Sequence, residues 1–264
     1  MDTTWRLIDS GPCDAFYNMA LDEAIATEVR MGSASPTLRL YGWDRASVTL
    51  GCFQKTSDID TDYCQFQGIP IVRRPTGGRA ILHGDELTYS FSAKTDRGPF
   101  SHGLLDSYKK ISTAFSIAFR KIGLKAGPKK EREKGSVLSR SPLCFQSSSF
   151  GEILIENKKL VGSAQKRWDN GLLQHGSIPY LSQEEKLEGI FGAEKTASLR
   201  DCMKALRDCL PLLDEYAFRR AIASSFEEAF GIRLLLSAPS QAESLLAEEL
   251  LHRKYLQDHW NFRR

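Results

Sequence analysis

The stretch Arg73-Arg-Pro-Thr-Gly-Gly-Arg79, running on into Ala80-Ile-Leu-His-Gly-Asp-Glu-Leu-Thr-Tyr-Ser-Phe91, decides how the rest of this 264-residue chain is read. Three arginines and a Gly-Gly pair sit between two β-prone runs, Ile69-Pro-Ile-Val72 and Ala80-Ile-Leu82. Bare glycine backbone lets a ligand approach closely, and fixed guanidinium cations suit an acyl carbonyl, a carboxylate or a phosphate. A plain turn is the competing reading of the same composition. Neither a Walker loop nor a Gly-x-Gly-x-x-Gly fingerprint opening a helix is present.

Outward from this loop, short strands are expected at Thr37-Leu-Arg-Leu-Tyr41, Ser47-Val-Thr-Leu50 and Leu87-Thr-Tyr-Ser-Phe91. Asp14 is placed to cap an amphipathic helix that reaches about Arg30, with Leu21, Ile25 and Val29 on one face and Gly32 beyond its end. Apolar residues at 104, 108, 111, 115, 118 and 122 step by four and three, which predicts a second helix closed by Gly123. Glu152-Ile-Leu-Ile-Glu156 and Lys159-Leu-Val161 flank Asn157-Lys158, the length of a two-residue hairpin turn, and a further strand covers Gly171 to Ile178. Beyond Leu181 the β signal fades, and Tyr216 to Phe230 and Ala242 to Tyr255 read as helices. This order predicts an α+β fold, a mixed, largely antiparallel sheet with packed helices. One domain is expected over 1–264, with a catalytic core at about 35–215 and a helical segment at about 212–264 packed on it.

Composition narrows the function. Hydrophobic residues make up 41% of the chain, enough for a sizeable core, and Lys plus Arg exceed Asp plus Glu by only three, which argues against a nucleic-acid protein. No apolar run approaches the length of a bilayer span and the first residues lack a signal-peptide pattern, so no membrane partner and a cytoplasmic location are expected. Six cysteines, at 13, 52, 64, 144, 202 and 209, show no Cys-x-x-Cys pair or nearby His, so free thiols and no metal site are expected. Positive charge gathers locally between Lys125 and Arg140, where a solvated loop or the docking of an acidic partner would use it.

The full string Arg-Arg-Pro-Thr-Gly-Gly-Arg-x-x-x-His-x-x-x-x-Thr-Tyr-Ser is far more specific than its parts. Asn18-Met-Ala-Leu-Asp-Glu23, Lys159-Leu-Val-Gly-Ser-Ala-Gln165, Gln174-His-Gly-Ser-Ile178 and Lys254-Tyr-x-x-x-x-Trp-Asn-Phe262 agree with it. Here the chain resembles the biotin/lipoate A/B protein ligase family, and most closely its cysteine-dependent octanoyltransferases. The resemblance implies a cofactor-transferase fold and attachment of a C8 acyl group to a lysine of a lipoyl domain. It places substrate-binding residues at Arg73, Arg74, Thr76, Gly77, Gly78, Arg79, His83, Gly162, Ser163, Ala164, His175 and Gly176, with no cofactor. For His83 and His175 a hydrogen bond holding the loop and a place near the acyl carbonyl are both open.

Within that family an ATP-dependent ligase needs no protein nucleophile, whereas a transferase carries the acyl group on a cysteine. Cys144-Phe145, Ser148 and Glu152 match the transferase spacing, and Lys159 follows the cysteine by fifteen residues, although Gln146 to Gly151 departs from the usual filling. Cys144 and Lys159 are therefore the expected catalytic pair, since a nearby ammonium favours the thiolate. The resemblance further implies octanoyl-acyl carrier protein as donor and the glycine cleavage H protein or an E2 subunit as acceptor. A ligase, an amidotransferase between lipoyl domains, and a non-catalytic binding module are the alternatives.

Overall fold

The computed structural model describes residues 3–128 and 152–264, so Cys144, Phe145, Ser148 and most of the basic segment lie outside the described residues. In chain order the elements are β1 (Thr4–Cys13), α1 (Ala15–Met31), β2 (Thr37–Trp43), β3 (Ser47–Leu50), α2 (Thr61–Phe66), β4 (Ile71–Arg73), β5 (Ile81–His83), β6 (Glu86–Lys94), α3 (Leu104–Lys121), β7 (Gly127–Pro128), β8 (Ile153–Ile155), β9 (Lys158–Arg167), β10 (Gly171–Pro179), α4 (Glu184–Phe191), α5 (Ala193–Cys202), α6 (Leu206–Cys209), α7 (Glu215–Phe230), β11 (Arg233–Leu236), α8 (Gln241–Leu250) and α9 (Asp258–Asn261). The main sheet runs β11-β1-β2-β6-β10-β9-β8-β7 and a small one runs β4-β3-β5. Only β11-β1, β1-β2 and β3-β4 pair in parallel. The α+β class and the mostly antiparallel pairing are as expected, divided between two sheets.

Three apolar clusters hold these layers together. Phe91, Phe115, Phe119, Phe218 and Phe226 join α3 and α7 to the main sheet. Ile25, Val29, Tyr41 and Leu250 join α1 and α8 to the sheet, while Val48, Ile81, Ile190 and Phe191 close the small sheet against α4. Among the described residues no helix is long and apolar enough to cross a membrane.

Helix α1 starts and stops for the expected reasons. The Asp14 carboxylate accepts from the amides of Phe16 and Tyr17, and Gly32 (φ 85°) returns its N–H to Glu28 and Val29. It is not a simple amphipathic helix, because Asn18 and Asp22 are also fully buried. The β8–β9 turn falls one residue earlier than expected, on Glu156 (φ 49°) and Asn157 (φ 63°). Positive φ at both central residues matches the twist of the flanking strands. Three strands escape the sequence pattern: β1 is broken by a register shift between Asp9 and Gly11, β7 lies in the stretch read as a basic loop, and β11 lies between the helices expected at 216–230 and 242–255. Arg233-Leu-Leu-Leu236 is too short for periodicity to separate strand from helix, and its pairing with β1 is remote in sequence.

Phe115 is fully buried between the Tyr89 ring at 4.3 Å and the Phe226 ring at 5.4 Å. Phe115→Ala is expected to lower unfolding free energy by about 3–5 kcal/mol, measured by denaturant titration.

Candidate active site

The Arg73–Arg79 loop joins β4 to β5, and its arginines do different work. Arg73 is fully buried. Its guanidinium donates to Gly51 O (2.8 Å), Gln54 O (2.6 Å) and Asn261 O (3.1 Å), and its amide donates to Asn261 Oδ1 (2.9 Å). Burial, with Arg263 and Arg264 nearby, lowers its pKa. Thus Arg73, expected to bind substrate, ties the loop to the 51–54 turn and to α9. Arg74 curls the loop around itself: Nη2 donates to Gly77 O (2.9 Å) and Arg79 O (2.7 Å), and Nη1 donates to Thr49 O and Oγ1 (both 3.1 Å). Gly78 has φ 89°, and a Cβ there would lie 2.8 Å from Arg74 Nη2. A Cβ on Gly51 would lie 1.9 Å from Gly78 O, so two strands of backbone meet here at a distance only glycine allows. A Cβ on Gly77 would meet open space, and Gly77 and Arg79 are half-buried.

Two carboxylate–histidine–threonine relays brace this loop. Asp22, on the buried face of α1, accepts from Arg39 Nη1 (2.8 Å), Tyr41 Oη (2.9 Å) and Ser90 Oγ (2.7 Å), and lies 3.3 Å from His175 Nδ1. The carboxylate needs a donor, so Nδ1 carries the proton, and Nε2 accepts from Thr76 Oγ1 at 2.6 Å. In the second relay Glu86 accepts from His83 Nδ1 (2.8 Å) and Ser177 Oγ (2.8 Å), and His83 Nε2 meets Thr49 Oγ1 at 2.8 Å. That hydroxyl also accepts from Arg74, and the His83 ring stacks on Trp43 with centroids 4.0 Å apart. Both histidines therefore hold the loop or its neighbours through hydrogen bonds.

The electrostatics of the first relay are consistent. Burial pushes the Asp22 carboxyl up, but Arg39 and His175 outweigh it and hold the group below the usual carboxylate range. Burial lowers the His175 pKa against the opposing pull of Asp22, so the ring is neutral.

The opposite wall comes from β9 and β10. Ile153 pairs with Val161 but Leu154 with Lys159, so Leu160 is the extra residue of a bulge. Lys159 is 1% exposed and donates from Nζ to Glu152 Oε1 at 2.6 Å. Beyond the bulge Gly162, Ala164, His175 and Gly176 line a narrow cleft with Met19 and His83. Ser163 faces the other layer, where its Oγ meets Tyr89 Oη at 2.8 Å. A Cβ on Gly176 would strike the Tyr89 ring at 2.6 Å, so packing alone demands glycine there.

The fold that brings this sheet, loop and lysine together is that of the lipoyl protein ligase class. Residues 14–227 match the lipoyl protein ligase A/B catalytic domain, and the chain belongs to that family. Over 273 residues it is 36% identical to the octanoyltransferase LipM of Geobacillus kaustophilus (strain HTA426), covering 98% of each chain. The T. acidophilum protein solved with bound lipoic acid superposes with a TM-score of 0.83 at 25% identity, covering 100% of both chains. Lipoate-protein ligase A bound with ATP superposes with a TM-score of 0.82 at 26% identity, covering 99% of both.

Sequence reasoning singled out both histidines and the loop but not Asp22, Arg39, Glu86 or Thr49 as their partners. A carboxylate on the core face of α1, within the Asn18–Glu23 segment, was the available signal.

Because the His175 pKa is lower in the folded chain, its contribution to stability is full above about pH 6.5 and is lost as pH falls through the folded value. The Asp22 contribution persists further, to below about pH 3.9. Thermal melts should therefore show stability declining below about pH 6.5, a component missing in His175→Gln. At neutral pH, Thr76→Val leaves His175 Nε2 without its donor and should cost about 1–3 kcal/mol.

Proposed function

We propose that this chain is an octanoyltransferase of lipoate assembly that carries the acyl group on Cys144. The thiolate attacks the carbonyl of octanoyl-acyl carrier protein, the carrier's thiol leaves with a proton, and the octanoyl group rests on Cys144 as a thioester. A lysine amine of a lipoyl domain, such as the glycine cleavage H protein or an E2 subunit, then attacks that carbonyl. The amide forms, the Cys144 thiolate is released, and the lysine's proton is given up. A thioester keeps the acyl carbon activated between the two steps, so the amide forms downhill.

The observation that carries this reading is the buried Lys159–Glu152 pair at the head of the cleft strand. The Glu152 carboxylate, 2.6 Å away, holds the Lys159 amine in a fixed position. In sequence it stands fifteen residues from Cys144, where it would favour the thiolate over the thiol. Backbone donors at Gly77 and Gly78, with Arg79 beside them, suit the developing oxyanion. Identity with octanoyltransferases over nearly the whole chain supports the same assignment, and the cytoplasm is the compartment in which it would work.

Intact-mass measurement after incubation with octanoyl-acyl carrier protein, without ATP, tests the scheme. A hydroxylamine-sensitive octanoyl adduct is expected in the wild type and none in Cys144→Ala, whose transfer rate should fall by on the order of 10⁴-fold. ATP-dependent lipoylation by Cys144→Ala with no adduct in the wild type would establish a ligase instead. Acylation from an octanoylated lipoyl domain in preference to the carrier protein would establish an amidotransferase.

A further inference from the structure

A band of four cations borders the cleft, and among the described residues only one of them is ion-paired with a carboxylate. Arg30, on α1, lies with its guanidinium carbon 4.2 Å from the centroid of Trp168, and Lys166 Nζ lies 4.7 Å from the same ring. Further along, Lys254 Nζ and the Arg263 guanidinium each lie 4.0 Å from the centroid of Trp260. Lys254 is paired with Glu23 at 2.6 Å. Among the described residues, Arg30, Lys166 and Arg263 have no carboxylate within ion-pair distance and rest on indole rings instead. The chain carries a net charge of only +3, so this is a local arrangement and not a general basic surface.

The band is continuous with the site. Lys166 is two residues beyond Ala164 on β9 and so shares its face of the sheet. Arg30 is on the helix that supplies Met19 to the cleft. Arg263 donates to Cys52 O at 2.8 Å, and the Cys52 amide donates to Thr76 O at 2.8 Å, which places Arg263 against the glycine loop. Burial disfavours the charge on Lys254, and Lys166 lies close enough to add to that effect.

We infer that this band is the docking surface for an acidic face of the protein domain that presents the acceptor lysine. Cations held on aromatic rings are already oriented, so they gain from an incoming carboxylate without first giving up a carboxylate partner among the described residues. A protein, not a nucleic acid, fits this position, because the cleft it borders must receive a lysine side chain. A separate run of positive charge in the sequence, Lys125–Arg140, leads to Cys144. The inference rests on the proposed transfer to a lipoyl domain, and binding tests it apart from the chemistry.

The test uses Lys166→Glu and Arg263→Glu, singly and together, with Lys166→Gln and Arg263→Gln as neutral controls whose thermal melts report folding. Titration calorimetry with the apo glycine cleavage H protein should show Kd raised roughly five- to tenfold by each reversal and less by each neutral change. In the wild type Kd should weaken steeply with added salt, and in the double reversal it should hardly respond. With an octanoyl thioester of a small thiol as donor, Cys144 should be acylated at the wild-type rate in the Lys166 variants. Unchanged H-protein affinity in the folded double variant would overturn the inference. So would reversals that weaken octanoyl-acyl carrier protein binding alone, or that abolish binding of a DNA duplex while H-protein affinity stays as it was. Failure of the wild type to acylate Cys144 counts against the transferase reading, and the calorimetry still decides the docking surface.

Discussion

The Asp22 carboxylate is the fixed point on which the functional half of the molecule rests. It is completely buried beside an equally buried Arg39, and a lone charge of either sign would be strongly disfavoured there. The pair is tolerated because neither charge lacks hydrogen bonds: Arg39 also reaches Ser10 Oγ, Asn18 O and Asn18 Oδ1, and Asp22 gathers Tyr41, Ser90 and His175. Those groups come from five elements, so α1, β1, β2, β6 and β10 meet in one register. The network reaches the loop through His175, whose tautomer Asp22 fixes and whose free nitrogen pins Thr76.

A glycine loop is by itself too mobile to preorganise oxyanion donors, because glycine visits many backbone conformations at little cost. Here the mobility is removed from three sides. Arg74 closes the loop on its own carbonyls, Gly51 approaches Gly78 too closely for any side chain, and the two histidine relays hold Thr76 and Thr49. The closing residues contribute as well: Trp260 Nε1 donates to Arg73 O at 2.8 Å and Asn261 holds the Arg73 amide. Electrostatic stabilisation of an acyl-transfer intermediate depends on donors that need not reorganise. The surrounding scaffold gives the loop that property.

Lys159 follows the same logic on the opposite wall. A bulge at Leu160 breaks the alternation of β9, so Leu160 and Val161 both enter the core while the lysine stays buried against Glu152. Beyond the bulge the strand returns to regular pairing and offers only small side chains to the cleft. A single inserted residue thus separates the charged end of the strand from the part that lines the cleft.

The sequence alone determined what local chemistry dictates. The Asp14 cap and Gly32 stop bound α1, the four-and-three spacing yields α3, and the long Arg-Arg-Pro-Thr-Gly-Gly-Arg…His string identifies the family. Side-chain direction was not readable there. Arg73 and Arg74 are adjacent and chemically identical, yet one is buried in the framework and the other shapes the loop, because strand β4 ends between them. Only the tertiary structure could decide that, and likewise the pairing of Asp22 with Arg39 and of Glu86 with His83, and the addition of β11 to the sheet edge. The reason is physical: local signals arise from backbone geometry within a few residues. Buried charge pairing and strand addition depend on groups brought together from far apart in the chain.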